Sequence, residues 1–141
     1  MKLNLHEESR VVFGFCRAIG ATGAVTAAID TKGYNGVEFH LLYGLTAAVT
    51  DTLTVLITES DASTGGFTSV ADTNLNGTEA LASRLGVTTH VSGTSINVSK
   101  SVGYKGLKRY VKAKVTPVGT ATMIVGCVAT LFSPEAVRTN S

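Results

Sequence analysis

The sequence predicts an all-β protein, an antiparallel β-sandwich of about seven or eight strands with one short helix, for which a jelly roll is one topology. Three observations predict it. The 141 residues are 44% hydrophobic and rich in Val, Thr, Ala and Gly, with two Pro and no Trp, a bias toward β-branched and turn residues. Several short runs alternate apolar and polar side chains with the period of two that a strand imposes. Those runs recur at short, fairly regular intervals and are bounded by Gly, Asn and Pro clusters. The length suits one core, so residues 1–141 read as a single β-sandwich domain with loose N- and C-terminal arms.

The elements follow in chain order. RVVFGFCRAI (Arg10 to Ile19) and GAVTAAID (Gly23 to Asp30) are the first two strands. KGYNG turns the chain into GVEFHLLY, where Val37, Phe39, Leu41 and Tyr43 point one way and Glu38 and His40 the other. TLTVLITES places Leu53, Val55 and Ile57 on one face and Thr52, Thr54 and Thr58 on the other, with Leu56 breaking the pattern. TGGFTSVA reads as turn and strand. TEALASRL, Thr78 to Leu85, is the helical island, with Thr78 as its cap and Gly86 as its stop. THVSGTSINVS is a strand bent at Gly93, and RYVKAKVT sends Val111, Ala113 and Val115 inward and Lys112 and Lys114 outward. The last run, Ala121 to Phe132, is apolar on both faces, the pattern of a strand covered twice.

Chemical motifs are sparse. DTNLNG, Asp72 to Gly77, fits the first six positions of a calcium loop, but the eighth position is Glu79 and the twelfth is Ser83. Such a loop needs an apolar eighth residue and a bidentate carboxylate at the twelfth, so the segment reads as an Asx-rich turn and no metal or other cofactor is expected. Cys16 and Cys127 have no zinc or redox spacing and read as two buried thiols. His6, His40 and His90 lie in separate segments without a second ligand close by in sequence, and no nucleophile elbow is present. These features point away from an enzyme.

MKLNLHEESR has no apolar h-region, and Ala121 to Phe132 is too short to span a bilayer. Synthesis in a cytoplasm and no membrane partner are the expectations.

Charge is uneven along the chain. Residues 1–97 hold five basic and nine acidic side chains, whereas residues 98–141 hold seven basic and one acidic. GYKGLKRYVKAK alone carries Lys105, Lys108, Arg109, Lys112 and Lys114. A nucleic-acid strand site is disfavoured, because the net charge is only +2 and Tyr104 and Tyr110, in one strand, would stand too far apart to stack adjacent bases. The five cations are instead expected to form a protein interface, facing an acidic surface or a second copy of the chain. In that arrangement Gly103 to Lys108 is a turn that presents Lys105 and Lys108.

The order of three segments is recognisable. IDTKGYNGVEFHLLYG, DTLTVLITESDASTGGFTSVADTNLNG and VGYKGLKRYVKAKVTPVGTATMIVGCVATLF together resemble small tailed-bacteriophage virion proteins encoded among head genes, over about residues 29–132. The resemblance implies a capsid decoration, or cement, protein: a virion component that binds the major capsid protein on the outside of the head shell. It also implies a homo-oligomer, most commonly a trimer, and carries no catalytic residue across. A head–tail joining or tail component is the alternative, and a carbohydrate-binding sandwich module is a more remote one.

Overall fold

The computed structural model describes residues 8–20, 22–46, 52–83, 98–118 and 123–134. In chain order its strands are β1 (Ser9–Ile19), β2 (Ala24–Val25), β3 (Ile29–Asp30), β4 (Tyr34–Thr46) and β5 (Leu53–Ser60). They continue as β6 (Thr68–Ser69), β7 (Leu75–Asn76), β8 (Val98–Tyr104), β9 (Tyr110–Pro117) and β10 (Met123–Pro134), with a short helix, α1 (Glu79–Ala82), before β8.

The strands form two antiparallel sheets that close on one core. The first has the order β1-β10-β4-β8-β7, and the second runs β2-β9-β5-β6 with β3 also paired to β9. Alternation sets which side chains meet between them. Val37, Phe39, Leu41 and Tyr43 of β4 are buried, as are Leu53, Val55 and Ile57 of β5 and Val111, Ala113 and Val115 of β9, and all belong to one apolar cluster. An antiparallel β-sandwich, as the sequence predicts, is therefore the fold.

The structure departs from the expected elements at three places. GAVTAAID does not form one continuous strand, because the buried Thr26 interrupts it. Its amide donates to the Ala113 carbonyl at 3.0 Å, and its hydroxyl accepts from the Ala113 amide at 3.1 Å, replacing a ladder bond. The helix is short: Thr78 caps the Leu81 amide at 3.1 Å, and Ser83 is already extended. Residues 84–97, which include most of THVSGTSINVS, and both expected arms, residues 1–7 and 135–141, lie outside the described residues. Gly103 and Tyr104 are not turn residues but the end of β8, so the turn is confined to Lys105 through Arg109.

The helix seals a sheet edge and ties the layers together. Beyond its short pairing with β6, β5 would expose backbone donors, an edge that natural sheets cover. Glu79 Oε1 accepts from the Ile57 amide at 2.6 Å and Ser83 Oγ from the Val55 amide at 2.9 Å. Across the core, the Tyr43 hydroxyl donates to the Ala82 carbonyl at 2.7 Å, and Lys100 Nζ donates to the Ser83 carbonyl at 2.9 Å. Burial raises the Tyr43 phenol well above its usual range.

Among the described residues no element covers the outer face of the first sheet, so β10 is covered on one face rather than two. It lies between β1 and β4 with Val125, Cys127, Ala129 and Leu131 in the core, while Ile124 and Phe132 of its other face reach solvent. A bulge in β1 extends this face. The register shifts between Phe13 and Phe15, so Phe13 is 69% exposed while Phe15 is buried. Gly14 permits the bulge, because a Cβ there would stand 2.6 Å from the Cys127 carbonyl oxygen.

The same register separates the two cysteines and corrects the expectation of two buried thiols. Cys16 pairs with Gly126 and is exposed, while Cys127, opposite Phe15, points into the core. They project from opposite faces and cannot bridge. Burial pushes the Cys127 thiol up to about 12, which removes thiolate at neutral pH. A maleimide is expected to modify one thiol per native chain, at Cys16, and the second only in denaturant. Two equivalents taken up by the native protein would place Cys127 outside the core.

Candidate functional site

Two surfaces carry the features that a binding protein needs, and the first is the end of the sandwich where β8 crosses to β9. The crossing is built on Tyr104. Its ring is buried, its hydroxyl donates to Glu59 Oε2 at 2.6 Å, and it accepts from the Lys108 amide at 3.0 Å. Burial, then the Glu59 carboxylate, raises this phenol far above its ordinary range. The chain folds tightly over the ring, and a Cβ on Gly106 would stand 2.6 Å from the hydroxyl oxygen. The Lys105 amide donates to the Asn74 carbonyl at 2.9 Å, fixing the other side of the turn.

A second turn, Thr31 to Gly33, leads into the start of β4 and faces this one. The Thr31 amide and hydroxyl each donate to the Arg109 carbonyl at 2.8 Å. Arg109 in turn makes a two-pronged contact with Asp30, Nε to Oδ1 and Nη2 to Oδ2, both at 2.9 Å. The hydrogen bond from Arg109 holds the Asp30 carboxyl down at about 2. Between the turns lies a cleft of about 380 Å³ whose lining includes Lys32, Tyr34, Lys105, Leu107, Lys108 and Arg109.

The five cations singled out by sequence do not share one patch. Lys108 pairs with Asp61 and Arg109 with Asp30. Their charges belong to the framework of the turn. Lys112 lies over the Phe67 ring, its Nζ 4.2 Å from the centroid, and Lys114 is exposed beside Leu56 and Val25 on the outer face of the second sheet. Lys114 is four residues from Tyr110, which at ~3.3 Å per residue sets it well along the strand from the turn. Of the five, Lys105, Lys108 and Arg109 are exposed on the cleft, Lys105 alone of these three without an ion pair among the described residues, and the structure adds Lys32, which sequence reasoning missed. The signal available was the second lysine-bearing turn, KGYNG, already recognisable as a turn but without contact information to join it to the first.

Tyr104 and Tyr110 belong to different sheets. Tyr104 is buried and bonded through its hydroxyl, so the two rings form no common stacking platform.

The second surface is the outer face of the first sheet. Val11, Phe13, Leu42, Ile124 and Phe132 are all exposed on it. The Phe132 ring lies over Gly36, whose missing side chain makes room for it. Polar groups lie among them: His40 Nε2 stands 3.1 Å from Thr130 Oγ1, Glu38 sits beside Gly103, and the exposed Ser99 and Ser101 of β8 pair with Leu42 and His40. Toward one end, Cys16, Leu42, Val98, Ile124 and Gly126 border an apolar recess of about 260 Å³. Apolar patches of this kind on soluble proteins mark contact surfaces. Sequence reasoning missed Val11 and Phe13 because both parities of RVVFGF are apolar, and only the bulge decides which residues face outward.

Among the described residues no group of three or more His, Cys, Asp or Glu side chains is gathered closely enough to hold a metal ion. DTNLNG forms a 3-10 turn at Asp72–Asn74 and the short β7, with Gly77 at φ +84°. His6 and His90 lie outside the described residues.

No protein-family model matches the sequence, and no curated protein matches it. Solved structures do share its architecture. The CBM22-1 and GH10 modules of the Clostridium thermocellum endo-1,4-β-D-xylanase 10B, complexed with xylohexaose, superpose with a TM-score of 0.52 at 13% identity, over 92% of this chain and 27% of that one. The xylan-binding module CBM15 gives 0.48 at 12% identity over 95% and 96% of the two chains. The K3 cleaved adhesin domain of the Porphyromonas gingivalis Lys-gingipain gives 0.45 at 10% identity over 82% and 73%. At 13% identity the first of these likenesses is one of architecture alone, and it agrees with the β-sandwich fold.

Proposed function

We propose that this chain is a non-enzymatic capsid decoration protein, which attaches to the major capsid protein on the outside of a tailed-phage head and stabilises the shell by bridging neighbouring subunits. Copies self-associate on the lattice. The observation that carries the reading is the outer face of the first sheet, where Val11, Phe13, Leu42, Ile124 and Phe132 stand exposed to solvent. Burying one such side chain contributes roughly 1.5–3 kcal/mol, and this face of the five-stranded sheet offers several at once. The order of segments from DTKGYNGVEF to GYKGLKRYVKAKVTP directs the reading to phage heads rather than to another partner. Binding that favours the bound shell raises its stability by mass action.

A second reading draws on the same face. Phe13 is exposed in the row that holds Val128 and His40, next to the row of Thr130 and Glu38, an apolar ring near polar groups that suits a sugar face. Attachment to heads lacking the protein separates the two readings. Wild-type protein is expected to cosediment with such heads and to appear over the lattice by cryo-electron microscopy. Phe13→Asp is expected to weaken attachment at least tenfold while circular dichroism stays unchanged. Binding confined to the tail vertex would favour a joining role, and retention by xylan without head binding would favour the sugar reading. For self-association, sedimentation at micromolar concentration and low salt should give a species larger than the monomer; a monomer alone counts against it.

A further inference from the structure

We propose that the cleft between the Lys105–Arg109 turn and the Thr31–Gly33 turn with the start of β4 is a socket for an acidic protein segment, in which Lys32 and Lys105 receive a carboxylate and Leu107 packs on an apolar neighbour of that carboxylate. This deepens the decoration reading and rests on it for the identity of the partner. The chemistry rests on the cleft alone.

Charge accounts for the first half. Four cations line the cleft, and the ion pairs of Lys108 with Asp61 and Arg109 with Asp30 neutralise two. Among the described residues Lys32 and Lys105 form no ion pair, so a net positive charge faces the opening. The walls need no rearrangement, because Thr31, Tyr104 and Asn74 already hold both turns by hydrogen bonds of 2.8–3.0 Å. A preformed site loses less entropy when it binds.

Leu107 accounts for the second half. Its side chain is 100% exposed between Gly106 and Lys108, at the mouth of the cleft. An apolar side chain held out in water on a fixed turn and ringed by cations matches an interface anchor with a charged rim. The neighbouring carboxylates are those of Asp30 and Asp61. With those two acids paired, two cations without an ion pair among the described residues remain at the cleft, a match for one carboxylate but a short row for a nucleic-acid backbone. Inorganic phosphate offers Leu107 nothing to pack on. A carboxylate beside an apolar side chain uses every feature of the site.

The test titrates ¹⁵N-labelled full-length protein with acetyl-Leu-Glu-Leu-Glu-Leu-amide, with its Gln-for-Glu analogue, with inorganic phosphate and with oligo(dT). Millimolar acidic peptide is expected to shift the amide resonances of Lys32 to Asn35 and Lys105 to Arg109, less so as salt rises. The Gln analogue should not. Lys32→Glu with Lys105→Glu should weaken the peptide roughly tenfold or more, Lys32→Gln with Lys105→Gln by less, and Leu107→Ser should weaken it without changing the salt dependence. All of these positions are at the surface, so thermal unfolding should stay unchanged in each variant. Equal or stronger shifts of the same amides with phosphate or oligo(dT), or no shift with the acidic peptide, would overturn the proposal. The two proposals separate on heads lacking the protein. If wild type fails to attach while the peptide result holds, the decoration reading falls and the socket stands. If the double charge reversal attaches as well as wild type, the socket falls and decoration stands.

Discussion

Phe39→Ala is expected to destabilise the fold by about 3–5 kcal/mol, a large part of the roughly 5–15 kcal/mol that a domain of this kind has in all. Phe39 sits at the middle of β4, itself the central strand of the first sheet, and is 0% exposed. Its lateral partners are Ala129 on β10 and Val102 on β8, both 0% exposed. Neither can fill the space. Ala129 is too small to reach across, and Val102 is stiff at χ1. The second sheet lies opposite, where Ile57 and Val111 are held by their own ladder. A cavity therefore remains, and its walls lose dispersion contacts outright. Urea unfolding should show a lower midpoint with an unchanged slope. A loss below about 1 kcal/mol would mean that the core around β4 is not packed as described.

Tyr104→Phe is expected to cost about 1–3 kcal/mol while leaving the ring in place. The missing hydroxyl is the point at which three segments meet: Glu59 at the end of β5, Lys108 in the turn, and β8 itself. Without it the Lys108 amide loses its acceptor and the Glu59 carboxylate a short donor, in a region only partly open to water. The loss extends to the cleft, because the turn is held over the ring by that amide bond. Hydrogen exchange at the Lys108 amide should accelerate more than exchange in the β4–β10 ladder, and acidic-peptide affinity should fall although no lysine has changed. Uniform acceleration across both regions would show that the hydroxyl supports global stability and not the turn.

How much of this was legible in the sequence depends on what kind of contact each feature requires. The inward sets Val37/Phe39/Leu41/Tyr43, Leu53/Val55/Ile57 and Val111/Ala113/Val115 could be read directly, since a strand alternates its side chains whatever it later pairs with. Thr78 as a helix cap was readable for the same reason: its acceptor serves an amide three residues away. The sequence also displayed the cations of GYKGLKRYVKAK and the outward direction of Lys112 and Lys114.

The candidate site was not readable in this way. A strand ending at Tyr104 and a turn beginning at Lys105 differ by one residue, and β8 is stabilised by β4, more than fifty residues earlier in the chain, so local pattern missed it. The apparent separation of charge along the chain does not survive folding at this end. Asp30 and Asp61 come from the acidic part and neutralise Arg109 and Lys108 from the basic part.

By itself the sequence determined the fold class, the core-facing side of its main strands and the helix start, because these follow from backbone periodicity and short-range hydrogen bonding. Tertiary structure alone decided that Phe13 faces water and Phe15 the core, that Cys16 is exposed, that two of the basic residues are neutralised, and that Lys32 joins Lys105 beside Leu107. Each of those outcomes depends on a partner far away in the chain, through a register set by pairing or a charge set by proximity, and neither leaves a mark on the residues next to it.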